Sequence, residues 1–296
     1  MKINIPRIHI PGPLKTILKL VISIAIIVLI LRKIDERLLL DVVREANPWW
    51  VIWALFWFIM SKGLSAFRFN LLLKTEDIHL SSRENLRLYW LCMYYNLLLP
   101  GGISGDGYKI KVLMERFAKP LKRIVTITLI DRISGVIALG QLSVILIMGI
   151  PEIQKYWLLV IPALLMSMGI GFGLFRWAGI KGAGVWLTTS LQSLGVQGSQ
   201  AVATLGLVIA LGQGMHWADY LVLFLISSLV AMVPITIGGA GARELTFLYG
   251  AHFLDVNAEK AVAIGFLFYL ISTSVSFFGI IFSFKRDSWA DKKNFS

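Results

Sequence analysis

"VPITIGGAGARELTFLYG", residues 233–250, lies at the end of one apolar run and shortly before another, yet its composition does not suit a helix that simply continues. Pro234 ends an incoming helix, because it lacks an N–H and its ring clashes with the preceding turn. Gly238, Gly239 and Gly241 permit left-handed backbone and close approach. Arg243 and Glu244 then open a second helical segment. A second stretch, "LLPGGISGDGYKIKVL" at 98–113, follows the same order: Pro100-Gly101-Gly102, then Gly105-Asp106, then a segment carrying Lys109. Each stretch predicts a break between two half-helices.

The surroundings place both breaks in lipid. Hydrophobic residues make up 57% of the chain, and the mean hydropathy is +0.74. Uncharged runs at 156–175, 182–218, 220–242 and 261–284 reach crossing length, since a helix needs about 20 apolar residues to traverse the hydrocarbon core. The fold class is therefore all-α, a polytopic helical membrane protein. Spans are expected at 14–31, 48–72, 121–149, 156–175, 185–213 and 259–284, with broken segments at 86–116 and 219–255. An amphipathic stretch at 34–46 has a Leu and Val face suited to the outer interface. "NPWW" opens the second span with the tryptophans of a headgroup layer.

The N-terminus has the look of a signal peptide: Lys2, Arg7, Lys15 and Lys19 precede "LVISIAIIVLIL". No small-residue cleavage site follows before "RKIDER", so an uncleaved first span is expected. Lys and Arg count sets the orientation. With both termini cytoplasmic, twenty fall on the inner side, seven on the outer, and Lys62 and Arg132 within spans; cytoplasmic loops carry the Lys/Arg excess. This bias survives only if 86–116 dips in and returns to the cytoplasm, and 219–255 dips in and returns outside. The net charge of +12 thus follows insertion topology, and no nucleic-acid partner is expected. The single cysteine, Cys92, and four unclustered histidines lead to the expectation of no metal and no cofactor.

Each broken segment sits between two spans, once at 48–149 and again at about 185–284. Three full crossings separate the two breaks, so the second unit is expected upside down relative to the first. Two inverted repeats, each with a re-entrant helix hairpin, are the sequence pattern of a transport site. Irregular backbone at membrane depth must face protein or a wet cavity, and the exposed N–H groups of an outgoing half-helix attract anions. The bland alternative is a pair of tight packing turns.

Asp131-Arg132 falls well inside the span 121–149. A charge at the bilayer centre is expensive and faces the bundle interior or water. Local pairing of Asp131 with Arg132 is expected, leaving Arg132 to reach a phosphate; the alternative is a buried structural ion pair. Arg68 is expected to snorkel to the cytoplasmic edge, and Lys62 to do so less easily.

These residues resemble the lysylphosphatidylglycerol synthase transmembrane-region family, also called flippase-like. The resemblance rests on "LLPGGISGDGYKIKVL", on "LIDRISGVIAL" and most specifically on "VPITIGGAGARELTFLYG", in that order along nearly the whole chain. It implies a relative of the flippase portion of enzymes that make and export aminoacylated phospholipid. Some relatives attach a soluble aminoacyl-transferase domain after the last span; twelve residues follow Phe284 here, so the membrane portion without the synthase reaction is expected. Where the family has an Arg after the first glycine turn, this chain has Lys109.

The leading expectation is a flippase-like transporter in the cell membrane, moving an anionic phospholipid or lipid-linked intermediate. Candidate substrate-binding residues are Gly101, Gly102, Gly105, Asp106, Lys109, Asp131, Arg132, Gly238, Gly239, Gly241, Arg243 and Glu244. Lys109, Arg132 and Arg243 would meet phosphate, while Asp106, Asp131 and Glu244 tune charge or couple to protons. A membrane-embedded transferase is the second class. Asp35-Glu36 is its only acidic pair of note, lying among Arg32, Lys33 and Arg37; no nucleophile–base pair and no GxxxxGK[ST] loop accompany it, and no catalytic residues are assigned. The third class is an accessory subunit of an envelope lipid- or glycan-modifying enzyme. Oligomeric state is left open.

Overall fold

The computed structural model describes residues 44–98, 104–149, 151–231 and 242–284. The expected span 14–31, most of 34–46 and both glycine turns lie outside the described residues. Ten α-helices are described: α1 Pro48–Lys74, α2 Ser82–Leu98, α3 Ser104–Phe117, α4 Leu121–Leu146, α5 Val160–Trp177, α6 Ala183–Ala210, α7 Trp217–Ala231, α8 Ala242–Phe253, α9 Ala258–Phe277 and α10 Ile280–Phe284. Short 3-10 turns adjoin α4, α5 and α7. No strand occurs among the described residues.

Local sequence explains several boundaries. α1 starts where the Asn47 side chain accepts the Trp49 N–H at 3.0 Å, with Pro48 in the first turn, a position where its missing N–H costs nothing. Asn257 caps α9 in the same way, accepting the Lys260 N–H at 2.8 Å. Beyond α5, Gly179 adopts φ 76°, the left-handed turn that a glycine after a helix end supplies.

Among the described residues, six helical stretches are long and apolar enough to cross a membrane: Pro48–Lys74, Leu121–Gly149, Gln154–Trp177, Ala183–Ala210, Gly214–Ala231 and Ala258–Ser283. The protein is thus a multi-pass helical membrane protein. Gly214–Ala231 is notable, because the sequence pattern reads it as the first arm of a hairpin; length and apolarity alone do not separate such an arm from a crossing helix. Side chains that would be anomalous in water, among them Trp49, Phe56, Leu165, Met166 and Trp177, are exposed, as lipid contact requires.

α1 and α6 form the most extensive interface, and small residues explain how. A Cβ on Gly206 would lie 2.9 Å from the Trp53 ring and 3.2 Å from the Trp50 carbonyl, and one on Gly195 would lie 3.4 Å from Leu64. With Ala203 and Ala210 also buried, this stripe brings the two backbones together, the usual substitute for a hydrophobic driving force in lipid.

α2 and α3 form an antiparallel hairpin. Near its turn, Ser104 Oγ donates to the Tyr95 carbonyl at 2.6 Å and the Gly105 N–H to Asn96 Oδ1 at 2.8 Å. At its mouth, Arg116 pairs with Glu84 at 2.7 Å. α7 and α8 also pack together, with Gly250 against Leu223. The sequence reading makes α7 and α8 the arms of the second hairpin.

The main contacts among the eight helices α1–α4 and α6–α9 map onto themselves when α1, α2, α3 and α4 are exchanged with α6, α7, α8 and α9. Within each set the first helix touches the second and fourth, the second the third, and the third the fourth. Between sets, α4 packs on α6 and α7, while α9 packs on α1 and α2. The α1–α6 interface is its own counterpart.

Loops gather at two ends. At one, Arg123 pairs with Glu76 at 3.4 Å, Lys119 with Asp77 at 3.8 Å, and Arg123 Nη1 donates to the Ala178 carbonyl at 3.2 Å. At the other, the Asn47 N–H donates to the Ala210 carbonyl at 3.0 Å, the Tyr220 hydroxyl to Gln213 Oε1 at 3.1 Å, and Lys260 pairs with Glu45.

Candidate functional site

The charged residues within the spans come together in the interior. Arg68 of α1 donates through Nε to Asp131 Oδ1 of α4 at 2.8 Å, and through Nη1 to Ser193 Oγ of α6 at 3.0 Å. Ser193 in turn donates to the Thr189 carbonyl at 2.7 Å. Gly135 leaves room: a Cβ there would lie 3.5 Å from Arg68 Nη1. Gln197 Nε2 donates to the Gly135 carbonyl at 3.1 Å and ties α6 to α4 at the same level.

This arrangement corrects two expectations. Asp131 pairs with Arg68, not with its neighbour Arg132, because successive residues on a helix point about 100° apart and do not face each other. Arg68 does not snorkel; it is 5% exposed, held inward by Asp131 and Ser193. Arg68 and the equally buried Lys109 are therefore interior charges and not loop charges.

Arg132 turns to the hairpin and pairs with Asp106 in the first turn of α3. Asp106 also faces Lys109 at 3.4 Å, so one buried carboxylate stands between two cations at a helix N-terminus, where negative charge is favoured. Lys109 is 4% exposed and lies over the Phe69 ring at 4.1 Å and the Tyr89 ring at 5.3 Å. The Arg132 side chain, by contrast, is 43% exposed. Gly105 seats this group: a Cβ on it would lie 2.0 Å from the Cys92 carbonyl oxygen, so only glycine lets α3 approach α2 so closely.

On the second hairpin, Arg243 lies 4.8 Å from the Phe268 ring centroid and 5.6 Å from that of Phe224. Lys62 of α1 lies 4.5 Å over Phe58. The structure thus brings together Asp106, Lys109 and Arg132, joins Asp131 to Arg68, and sets Arg243 over Phe268 and Phe224. Gly101, Gly102, Gly238, Gly239 and Gly241 lie outside the described residues, as does the Glu244 side chain. Lys62, Arg68, Ser193 and Gln197 are additions to the residues picked from sequence. A basic residue in an apolar span was the available signal for the first two; Ser193 and Gln197 carried none.

Five cations, Lys62, Arg68, Lys109, Arg132 and Arg243, thus accompany two described carboxylates, Asp106 and Asp131. A small notch of about 20 Å³, lined by Ser134, Gln141, Ser167 and Trp186, opens elsewhere, among α4, α5 and α6; Gln141 Nε2 donates to Ser167 Oγ across it at 2.9 Å. Its size matches one water. At the mouth of the first hairpin, outside the spans, burial raises the Glu84 pKa, but hydrogen bonds from Arg116 and from the Ser81 N–H and hydroxyl outweigh this and hold it at about 2.

The sequence model of the lysylphosphatidylglycerol synthase TM region matches residues 16–279, and the chain belongs to that family. No curated protein matches it at a significant level.

Proposed function

We propose that this member of the family is a flippase-like protein of the cell membrane, moving an anionic phospholipid or lipid-linked intermediate between leaflets. The headgroup passes the interior cations while the acyl chains stay in the bilayer. The observation that carries this reading is the excess, among the described residues, of cations over carboxylates around Asp106, Asp131 and the second hairpin, inside helices that otherwise present lipid-facing surfaces. Arg132, half-exposed, and Arg243 are the phosphate contacts in this account, with Lys109 behind them. Asp131 holds Arg68, and Asp106 sets the spacing of Arg132 and Lys109.

The two sets of helices are, in the same proposal, inverted repeats whose hairpins α2–α3 and α7–α8 enter from opposite leaflets, with both chain termini cytoplasmic. The exchange pattern of helix contacts supports this reading, as does the Lys and Arg bias of the loops. Paired hairpins in such repeats bring half-helix ends to a site near the midplane. The test is translocation of a fluorescent anionic phospholipid in proteoliposomes. Movement faster than in protein-free liposomes is expected; folded protein that moves no anionic lipid overturns the proposal.

A further inference from the structure

We propose that the notch among α4, α5 and α6 is a binding site for a single water molecule within the spans, held by Trp186 and Ser190 of α6. The site is separate from the charged cluster and does not rest on the transport reading.

Two polar groups on one face of α6 lack a protein partner. Trp186 and Ser190 stand one turn apart, and both line the notch. Neither the Trp186 indole N–H nor the Ser190 hydroxyl forms a hydrogen bond with any described residue. Neighbouring serines behave differently: Ser134, Ser167 and Ser193 each donate to a carbonyl of their own helix. The indole nitrogen also lies at depth. A Cβ on Gly171 would lie 3.3 Å from Trp186 Nε1 and 3.5 Å from the Ile137 side chain. Gly171 stands six residues before the end of α5, about 9 Å along the helix axis. Polar groups in hydrocarbon must be satisfied internally, and a buried indole N–H usually finds an acceptor.

The notch meets the conditions for an ordered water. Its volume of about 20 Å³ holds one molecule, and a buried water makes about three hydrogen bonds. Such a water accepts from Trp186 Nε1–H and takes a second bond from Ser190. Gln141, on the same wall, donates through Nε2 to Ser167 Oγ at 2.9 Å and keeps Oε1 as an acceptor. Among the described residues, the Gln141–Ser167 bond is the one side-chain hydrogen bond that joins α5 to another helix, and α5 is the long helix outside the exchange pattern. The water adds a second polar tie at this junction. Ser134 connects the junction to the interior ion pair, because its hydroxyl donates to the Asp131 carbonyl at 2.9 Å.

The experiment is radiolytic hydroxyl labelling of the full chain in phospholipid nanodiscs, where a side chain inside the bilayer is modified only if water stands beside it. Met168 lines the notch; Met166, on the same helix, does not and is 65% exposed on the outside of the bundle. Modification of Met168 is expected, with Met166 spared. Trp186→Phe removes the donor and keeps a ring. In that variant, labelling of Met168 is expected to fall roughly two- to tenfold, the range for one lost neutral hydrogen bond. Should Trp186→Phe fail to fold, Ser190→Ala is read by the same criteria. Met168 spared in the wild type overturns the proposal. So does equal labelling of Met166 and Met168, or labelling of Met168 that the substitution leaves unchanged.

Discussion

Arg68 and Asp131, 63 positions apart in the chain, form a buried ion pair at 2.8 Å that joins α1 to α4. Each is nearly inaccessible, so neither is satisfied by solvent when its partner is removed. Asp131→Ala is expected to destabilise the protein by about 3–5 kcal/mol, the range for breaking a buried pair. Replacing both, as Arg68→Met with Asp131→Leu, is expected to recover most of that loss. Equilibrium unfolding of the three variants in detergent checks this; additive losses in the double variant contradict it.

The first hairpin offers a matched pair of glycines. Gly105→Ala places a methyl 2.0 Å from the Cys92 carbonyl oxygen, whereas a Cβ on Gly107 meets nothing within 4 Å. Gly105→Ala is expected to cost at least about 1–3 kcal/mol, as overpacking does, and to loosen the Ser104–Tyr95 contact. Gly107→Ala is expected to be neutral or slightly stabilising through helix propensity. Hydrogen exchange across 82–117 separates the two.

Glu84 gives the hairpin mouth a pH dependence of known sign. Its pKa is held at about 2, below the ordinary carboxyl value of 4.5, so the ionised form is favoured by folding. The contribution is complete above about pH 4.5 and is lost as pH falls toward about 2. Wild type minus Glu84→Gln stability, measured over that window, is expected to shrink as pH falls; a difference that stays flat or grows contradicts the assignment.

Much of the helical framework was legible in the residues. α4, α5, α6 and α9 fall within long apolar stretches of the sequence, because burial in lipid leaves a strong compositional trace. The partners of the interior charges were not legible. Asp131 stands next to Arg132 in sequence, and only the 100° turn per residue, combined with the packing of α1 on α4, decides that it faces Arg68 instead. Arg243 was visible as a charge beside a glycine-rich stretch, but its place over Phe268 and Phe224 depends on rings contributed by α9 and α7. Tertiary neighbours of this kind leave no local pattern.

Arg132 separates binding chemistry from stability. Its side chain is 43% exposed, and the buried Asp106 keeps Lys109 as a second partner, so Arg132→Gln is expected to cost less than the about 3–5 kcal/mol of breaking a fully buried pair. Lipid translocation in the same variant is expected to fall about tenfold or more, the effect of one lost charge-assisted contact. Paired thermal unfolding and translocation rates check both halves.

The most direct measurement is the initial translocation rate of an anionic against a zwitterionic fluorescent phospholipid, of matched acyl chains, in the same proteoliposomes. The account predicts that the anionic lipid moves faster, and that Lys62→Met and Arg132→Gln each narrow the difference while leaving the zwitterionic rate nearly unchanged. Equal rates for the two lipids in wild type, or a ratio indifferent to both substitutions, would contradict it.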